Sequence, residues 1–172
     1  MPAEVPDEAS RSDSTKLRTS FIADAMLGRL ARWLRAVDAD TVQLALDATD
    51  HELVARAESE ERVLLTRDRH LLRELRPVRA FAIESDVPIE QLTQVVHAFE
   101  LPRPAEFLTR CLLDNAPLRV VPPSQVGEIV PPRSRDLPGP VRRCPSCGRV
   151  YWRGSHVRRM ESALLAAIPE WG

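Results

Sequence analysis

The chain has 172 residues, 44% of them hydrophobic, and a net charge of −1; these values fit one or two small globular domains and exclude a disordered chain. Its longest apolar run, ALLAAI near the C-terminus, is too short to cross a bilayer, and the polar, acidic N-terminus lacks the apolar stretch of a secretory signal. Three cysteines, two of them in one CxxC, point to a metal rather than a disulfide framework, so a cytoplasmic location without membrane association is expected.

Residues 1–17 are polar, with two prolines and no periodicity, and are expected to form a disordered tail. Phe21–Ala23 reads as a strand, and Leu27, Leu30, Ala31 and Leu34 put a helical stripe on Ala25–Ala36. Thr41–Leu44 reads as a second strand. Asp50 is placed as the cap of a helix carrying Leu53, Val54 and Ala57, with Glu52 in its first turn. Arg62–Thr66 is nearly continuous in apolar residues, as a strand covered on both faces should be. A short helix over His70–Leu75 stops before Pro77, a fourth strand runs Ala80–Ile83, and Pro88 opens a helix through Phe99 with Ile89, Leu92 and Val96 on one stripe. This alternation predicts an α/β fold: a short parallel sheet with helices on both faces, spanning residues 18–103.

Pro102 and Pro104 mark a boundary. Seven prolines fall between Pro117 and Pro140, and no helical periodicity is legible there. A proline-rich stretch of that length fits a small module, residues 104–165, clamped by something other than a core. Residues 166–172 are expected to be a second tail.

In an open parallel sheet, ligands bind outside the carboxyl ends of the strands. Asp24 directly follows the first predicted strand and Asp68 ends LLTRD after the third; Asp50, with Asp47 and Glu52 as substitutes, starts the intervening helix. Aspartates converging there can hold Mg²⁺ or Mn²⁺ and activate a water against a phosphodiester. The plainer alternative makes Asp50 and Asp68 helix caps. Arg67, beside Asp68, and Arg29 and Arg32, on the helix after Asp24, are candidates to contact phosphate or are solvated surface. Ser85 and Asp86 reach the same edge after the fourth strand. His51, His70 and His97 have no convergent partners.

Cys144-Pro-Ser-Cys147-Gly is the tight turn in which two thiolates face one tetrahedral ion. Cys111 offers a third ligand to Zn²⁺. The fourth is open: Asp114, in Cys111-Leu-Leu-Asp114, or His156, in YWRGSH, or a degenerate site in which Cys111 is a buried thiol. Basic residues are almost all arginine, and from Arg133 to Arg159 eight arginines face one acid, Asp136. That asymmetry suits an anionic partner such as nucleic acid. Tyr151, Trp152 and Arg153 either stack on bases and contact phosphate or build the module's small core.

FIADAMLGRLARWLRAVDADT, ERVLLTRDRHLL and RRCPSCGRVYWRGSH, in this order, resemble the Mut7-C RNase domain family over about Phe21 to Met160. The resemblance implies a PIN-like α/β/α domain fused to a C-terminal zinc ribbon and a metal-dependent ribonuclease acting on RNA. By position Asp24, Asp50 and Asp68 match its acids, and Cys111, Cys144 and Cys147 match three ribbon cysteines; Asp114 stands at the fourth. The competing expectation is a non-catalytic RNA- or ribosome-associated adaptor. A small-molecule site is a weaker third, because no glycine-rich phosphate loop is present.

Overall fold

The structure is a computed structural model that describes residues 19–172, so the predicted tail over 1–17 lies outside the described residues. Four strands, β1 (Phe21–Ala23), β2 (Thr41–Gln43), β3 (Val63–Thr66) and β4 (Ala80–Ala82), form an all-parallel sheet in the order β2-β1-β3-β4. Helices α1 (Gly28–Ala36), α2 (Asp50–Ser59), α3 (Arg69–Leu75) and α4 (Pro88–Ala98) alternate with them. This is the PIN-like α/β/α arrangement. The first predicted helix is split: a 3₁₀ turn over Ala25–Leu27 precedes α1.

Alternation along the strands assigns each side chain to a layer. Phe21, Ala23, Val63 and Leu65 face one core with Leu30 and Leu34 of α1 and Leu92, Val95 and Val96 of α4. Ile22 and Leu64 face the other, with Leu53, Val54 and Ala57 of α2 and Leu71 of α3. Phe99 anchors the first layer edge-on against Phe21 (5.2 Å) and Phe81 (5.5 Å). Because β1 and β3 are neighbours, with Ala23 in register with Leu65, Asp24 and Asp68 leave the sheet at the same carboxyl edge.

Asp50 is not the cap expected of it. Thr49 is the N-cap of α2: its hydroxyl accepts the Glu52 N–H (3.3 Å) while the Glu52 carboxylate accepts the Thr49 N–H (2.7 Å). This reciprocal pair is a capping box, in which a hydroxyl and an acid three residues apart satisfy two free donors.

The second half holds a three-stranded antiparallel sheet of β5 (Arg119–Val120), β6 (Arg142–Arg143) and β7 (Val150–Tyr151). The proline-rich stretch is less irregular than expected: α5 (Pro123–Ile129) starts on a proline, whose missing N–H costs nothing in a first turn. The predicted C-terminal tail is also revised. Helix α6 (Ser155–Ala167) packs on α4, and Leu164, Ile168 and Trp171 are buried in the first core of the PIN-like sheet. His97 Nε2 lies 2.6 Å from Glu170 Oε1 at the rim of this contact. The ALLAAI run is thus the apolar face that closes the nuclease-like half. No helix among the described residues is long and apolar enough to cross a membrane.

Candidate functional site

Two candidate sites stand out, one at the carboxyl edge of the parallel sheet and one between two cysteine-bearing turns. At the sheet edge, Thr66 ends β3 fully buried, and its hydroxyl donates to Asp24 Oδ2 (2.6 Å) while accepting the Asp68 N–H (3.0 Å). One side chain thereby fixes the Asp24 carboxylate beside the Asp68 backbone. Asp24 is held from the other side as well: Gln43 Nε2 donates to the carbonyls of Asp24 (3.2 Å) and Ala25 (3.1 Å). Neither Thr66 nor Gln43 was among the expected site residues. Thr66 was visible inside the TRD motif but carries no charge to draw notice.

Asp68 does serve as the N-cap of α3. Its Oδ1 accepts N–H groups of His70 (2.7 Å) and Leu71 (3.0 Å), leaving Oδ2 outside these bonds. The Leu71 N–H, supported by that of His70 and opposed by slight burial, holds the carboxyl below its ordinary range, so it is anionic at neutral pH. Asp50 is exposed in the first turn of α2 and is not brought to the other two acids. Among the described residues, Asp24, Asp50 and Asp68 form no set with ligand atoms within 4.8 Å of one another. Arg67 pairs with Asp86 across the loop after β4, and Ser85 donates to Glu90 (2.6 Å). Asp24 and Asp68 are the carboxylates of the expected set that share this edge, and one or two carboxylates are the number through which Mg²⁺ commonly binds while keeping several waters.

The second site is better defined. Cys111, Asp114, Cys144 and Cys147 place one ligand atom each within 4.8 Å of the others, the set of this kind found among the described residues. Two turns of the same backbone design present them. In the first turn, the Cys144 N–H donates to Arg149 O (2.8 Å) and the Gly148 N–H to Cys144 O (3.0 Å), with Gly148 at φ 74°. In the second, the Cys111 N–H donates to Ala116 O (2.9 Å) and the Asn115 N–H to Cys111 O (3.0 Å), with Asn115 at φ 68°. Asparagine tolerates the left-handed region, so Asn115 does here what glycine does in the other turn. Asp114 therefore occupies the position of the second cysteine. His156 is exposed at the start of α6 and does not belong to this set, which removes it as the fourth ligand.

The donor set suits a tetrahedral soft-to-borderline ion. Cys111 Sγ and Cys147 Sγ are 3.7 Å apart, against about 3.8 Å for the edge of a tetrahedron with 2.3 Å metal–sulfur bonds. Cys144 Sγ lies 3.3 and 3.4 Å from the two Asp114 oxygens. Its buried members are Cys111 and Cys144; Asp114 and Cys147 face solvent and leave a way in. Burial opposes ionisation of Asp114, but hydrogen bonds from the Cys147 and Cys111 thiols and the Ala116 N–H outweigh it and hold the carboxyl at about 2. The Arg149 N–H favours the Cys147 thiolate, yet the Asp114 charge, burial and the other thiols push Cys147 up to about 11.

Tyr151 belongs to this centre rather than to an open stacking platform. Its hydroxyl sits 3.2 Å from Cys111 Sγ and accepts the Leu112 N–H (3.1 Å); burial first, and the Cys111 contact second, push it above its ordinary value. Arg153 donates twice to Glu161 Oε2 (3.1 and 2.8 Å). Arg29 and Arg32 are exposed on α1 and line an open groove of about 410 Å³ with Trp33, Pro88, His156 and Met160. Both α1 and α4 leave from the carboxyl edge of the sheet, and the groove's lining also takes in Leu112 of the Cys111–Asp114 turn.

The Mut7-C RNAse domain family matches residues 19–164 of the chain, and the chain belongs to that family. No curated protein and no solved structure matches it. A nuclease-like fold with a cluster of three cysteines and one aspartate able to hold a metal ion is therefore what the molecule presents.

Proposed function

We propose that the protein is a metal-dependent ribonuclease in which Asp24 and Asp68 hold a hydrated Mg²⁺ or Mn²⁺ and the C-terminal module is a zinc ribbon that helps to bind RNA. The observation that carries this reading is the Thr66 hydroxyl, which ties the Asp24 carboxylate to the Asp68 backbone at the carboxyl edge of adjacent strands. A buried strand that ends in a threonine serving two aspartates is a positioning device, not a solvent-facing accident. When bound, the ion would supply Lewis-acid activation of water and neutralise phosphate charge. Asp24 and Asp68 would hold it, Thr66 and Gln43 would keep Asp24 oriented, and Arg29 and Arg32 would draw the phosphate backbone along the groove, with Trp33 and His156 in the same lining.

An adaptor that binds RNA without cutting it is the second reading. It is favoured by the dispersal of Asp50, by the commitment of Asp68 to capping α3, and by the Arg67–Asp86 pair. The two separate in one experiment: the full chain and Asp24→Asn are titrated with Mn²⁺ by calorimetry and incubated with 5′-labelled single-stranded RNA. The nuclease reading expects Mn²⁺ uptake and cleavage by the parent chain and loss of both in the variant, with unchanged thermal unfolding. RNA retention without Mn²⁺ uptake or cleavage would establish the adaptor.

A further inference from the structure

The two sites are joined by a run of hydrogen bonds through the edge strand β2. Arg35, at the end of α1, is 4% exposed. Its Nε donates to Thr41 O (2.8 Å) and its Nη1 to the carbonyls of Leu112 and Leu113 (2.8 Å each), inside the Cys111–Asp114 turn. Asn115, the left-handed residue of that turn, accepts the Thr41 N–H on Oδ1 (3.1 Å) and donates from Nδ2 to Asp40 Oδ1 (2.7 Å). Two residues further along β2, Gln43 supports the Asp24 carbonyl.

Among the described residues the Arg35 guanidinium bonds to carbonyls and has no ion-pair partner, and a buried charge without a close countercharge is costly. Burial draws Arg35 down from its ordinary value, and the Cys111 and Asp114 charges are foremost in opposing that. A divalent ion held by three thiolates and one carboxylate carries two net negative charges, whatever the ion's identity. Without the ion, that concentration of negative charge beside Arg35 is not assembled.

We propose that Arg35 is the buried counter-cation of the ribbon's metal centre and that, with Asn115, it makes the order of strand β2, and so the support of Asp24, depend on the ribbon being loaded with metal. Arg35 is a positioning residue here and touches no substrate. The proposal rests on the zinc-ribbon reading above but not on the nuclease reading, because its test involves no cleavage.

The test is amide hydrogen exchange on the full chain, loaded with Zn²⁺ and again after a chelator, together with Zn²⁺ affinity by chelator competition in Arg35→Met and Arg35→Lys. Chelation is expected to speed exchange at Thr41, Val42 and Gln43 at least about tenfold while α2 and β3 change little. Arg35→Met should weaken Zn²⁺ by about 10–100-fold, the usual cost of losing an outer-sphere partner, with partial rescue in Arg35→Lys. Unchanged exchange in β2 on chelation overturns the proposal even if Arg35→Met fails to fold, because that measurement uses the native chain. A chain that takes up no Zn²⁺ overturns this proposal and the zinc-ribbon reading together; a chain that takes it up with β2 unmoved overturns this proposal alone.

Discussion

On the proposed zinc-ribbon reading, Asp114 is the residue at which the cluster departs from four cysteines, and its replacement has a calculable effect. Structural zinc sites in small domains bind with roughly 10–16 kcal/mol, so one of four ligands accounts for about 3 kcal/mol, with a carboxylate at the lower end. Asp114→Ala removes that ligand from a site whose four donor atoms already lie within 4.8 Å of one another. A loss of about 2–3 kcal/mol is a weakening of roughly 30–150-fold at about 1.4 kcal/mol per decade. Asp114→Cys runs the other way. The turn already has the backbone for it: the Asn115 N–H reaches Cys111 O, and Asn115 holds the left-handed geometry that Gly148 holds in the partner turn. The introduced thiolate should therefore tighten Zn²⁺ by about tenfold or more, thiolate being the usual ligand of closed sites. Competition against a coloured zinc chelator measures both. Zn²⁺ affinity in Asp114→Ala within about threefold of the parent would refute the assignment. His156→Ala, which removes a side chain outside the cluster, should leave affinity unchanged.

Three further outcomes follow from the same geometry. Asp68→Asn keeps a side-chain oxygen for the His70 and Leu71 N–H groups, since asparagine caps as well as aspartate, so circular dichroism and thermal unfolding should match the parent while Mn²⁺ uptake falls; retained Mn²⁺ uptake would remove Asp68 from the acidic site. Trp171→Ala empties a position that is 4% exposed in the first core and should cost about 3–5 kcal/mol in urea unfolding, whereas a true tail would cost nothing measurable. Burial raises Asp40, but hydrogen bonds from Arg62 and Asn115 outweigh it and leave its folded value lowered. The folded state then binds fewer protons than the unfolded chain, so this pair stabilises fully above the unfolded value near 3.9 and loses its effect as pH falls through the lower folded one. The stability gap between the parent and Arg62→Met should thus be full at neutral pH and shrink below about pH 4; a gap independent of pH would show that Arg62 acts by packing alone.

What could be read from the sequence and what could not divide along physical lines. Short, nearly continuous apolar strands that end in carboxylates specify the parallel sheet and its carboxyl edge, because apolar runs and strand ends are local properties. The capping box over Thr49 and Glu52 was equally local, and weighting the acid over the hydroxyl misplaced the cap onto Asp50. The likeness between CLLDN and CPSCG is also local: asparagine in the first turn stands where glycine stands in the second, in line with the placing of Asp114 opposite the second cysteine of CPSCG. Arg35 was out of reach, since a buried arginine whose acceptors are carbonyls 77 and 78 residues away leaves no mark in local pattern. Trp171 belongs to the same class. Proline-rich sequence between the halves suggested separate units, but prolines limit local conformation and say nothing about what packs at either end. The C-terminal helix returns to complete the first core, while the carbonyls of the Cys111–Asp114 turn accept from Arg35 and Asn115 Oδ1 accepts the Thr41 N–H at the sheet's edge. The Arg35 and Asn115 bonds give the proposed coupling of metal occupancy to the support of Asp24 a short path, from the Cys111–Asp114 turn through Thr41 to Gln43.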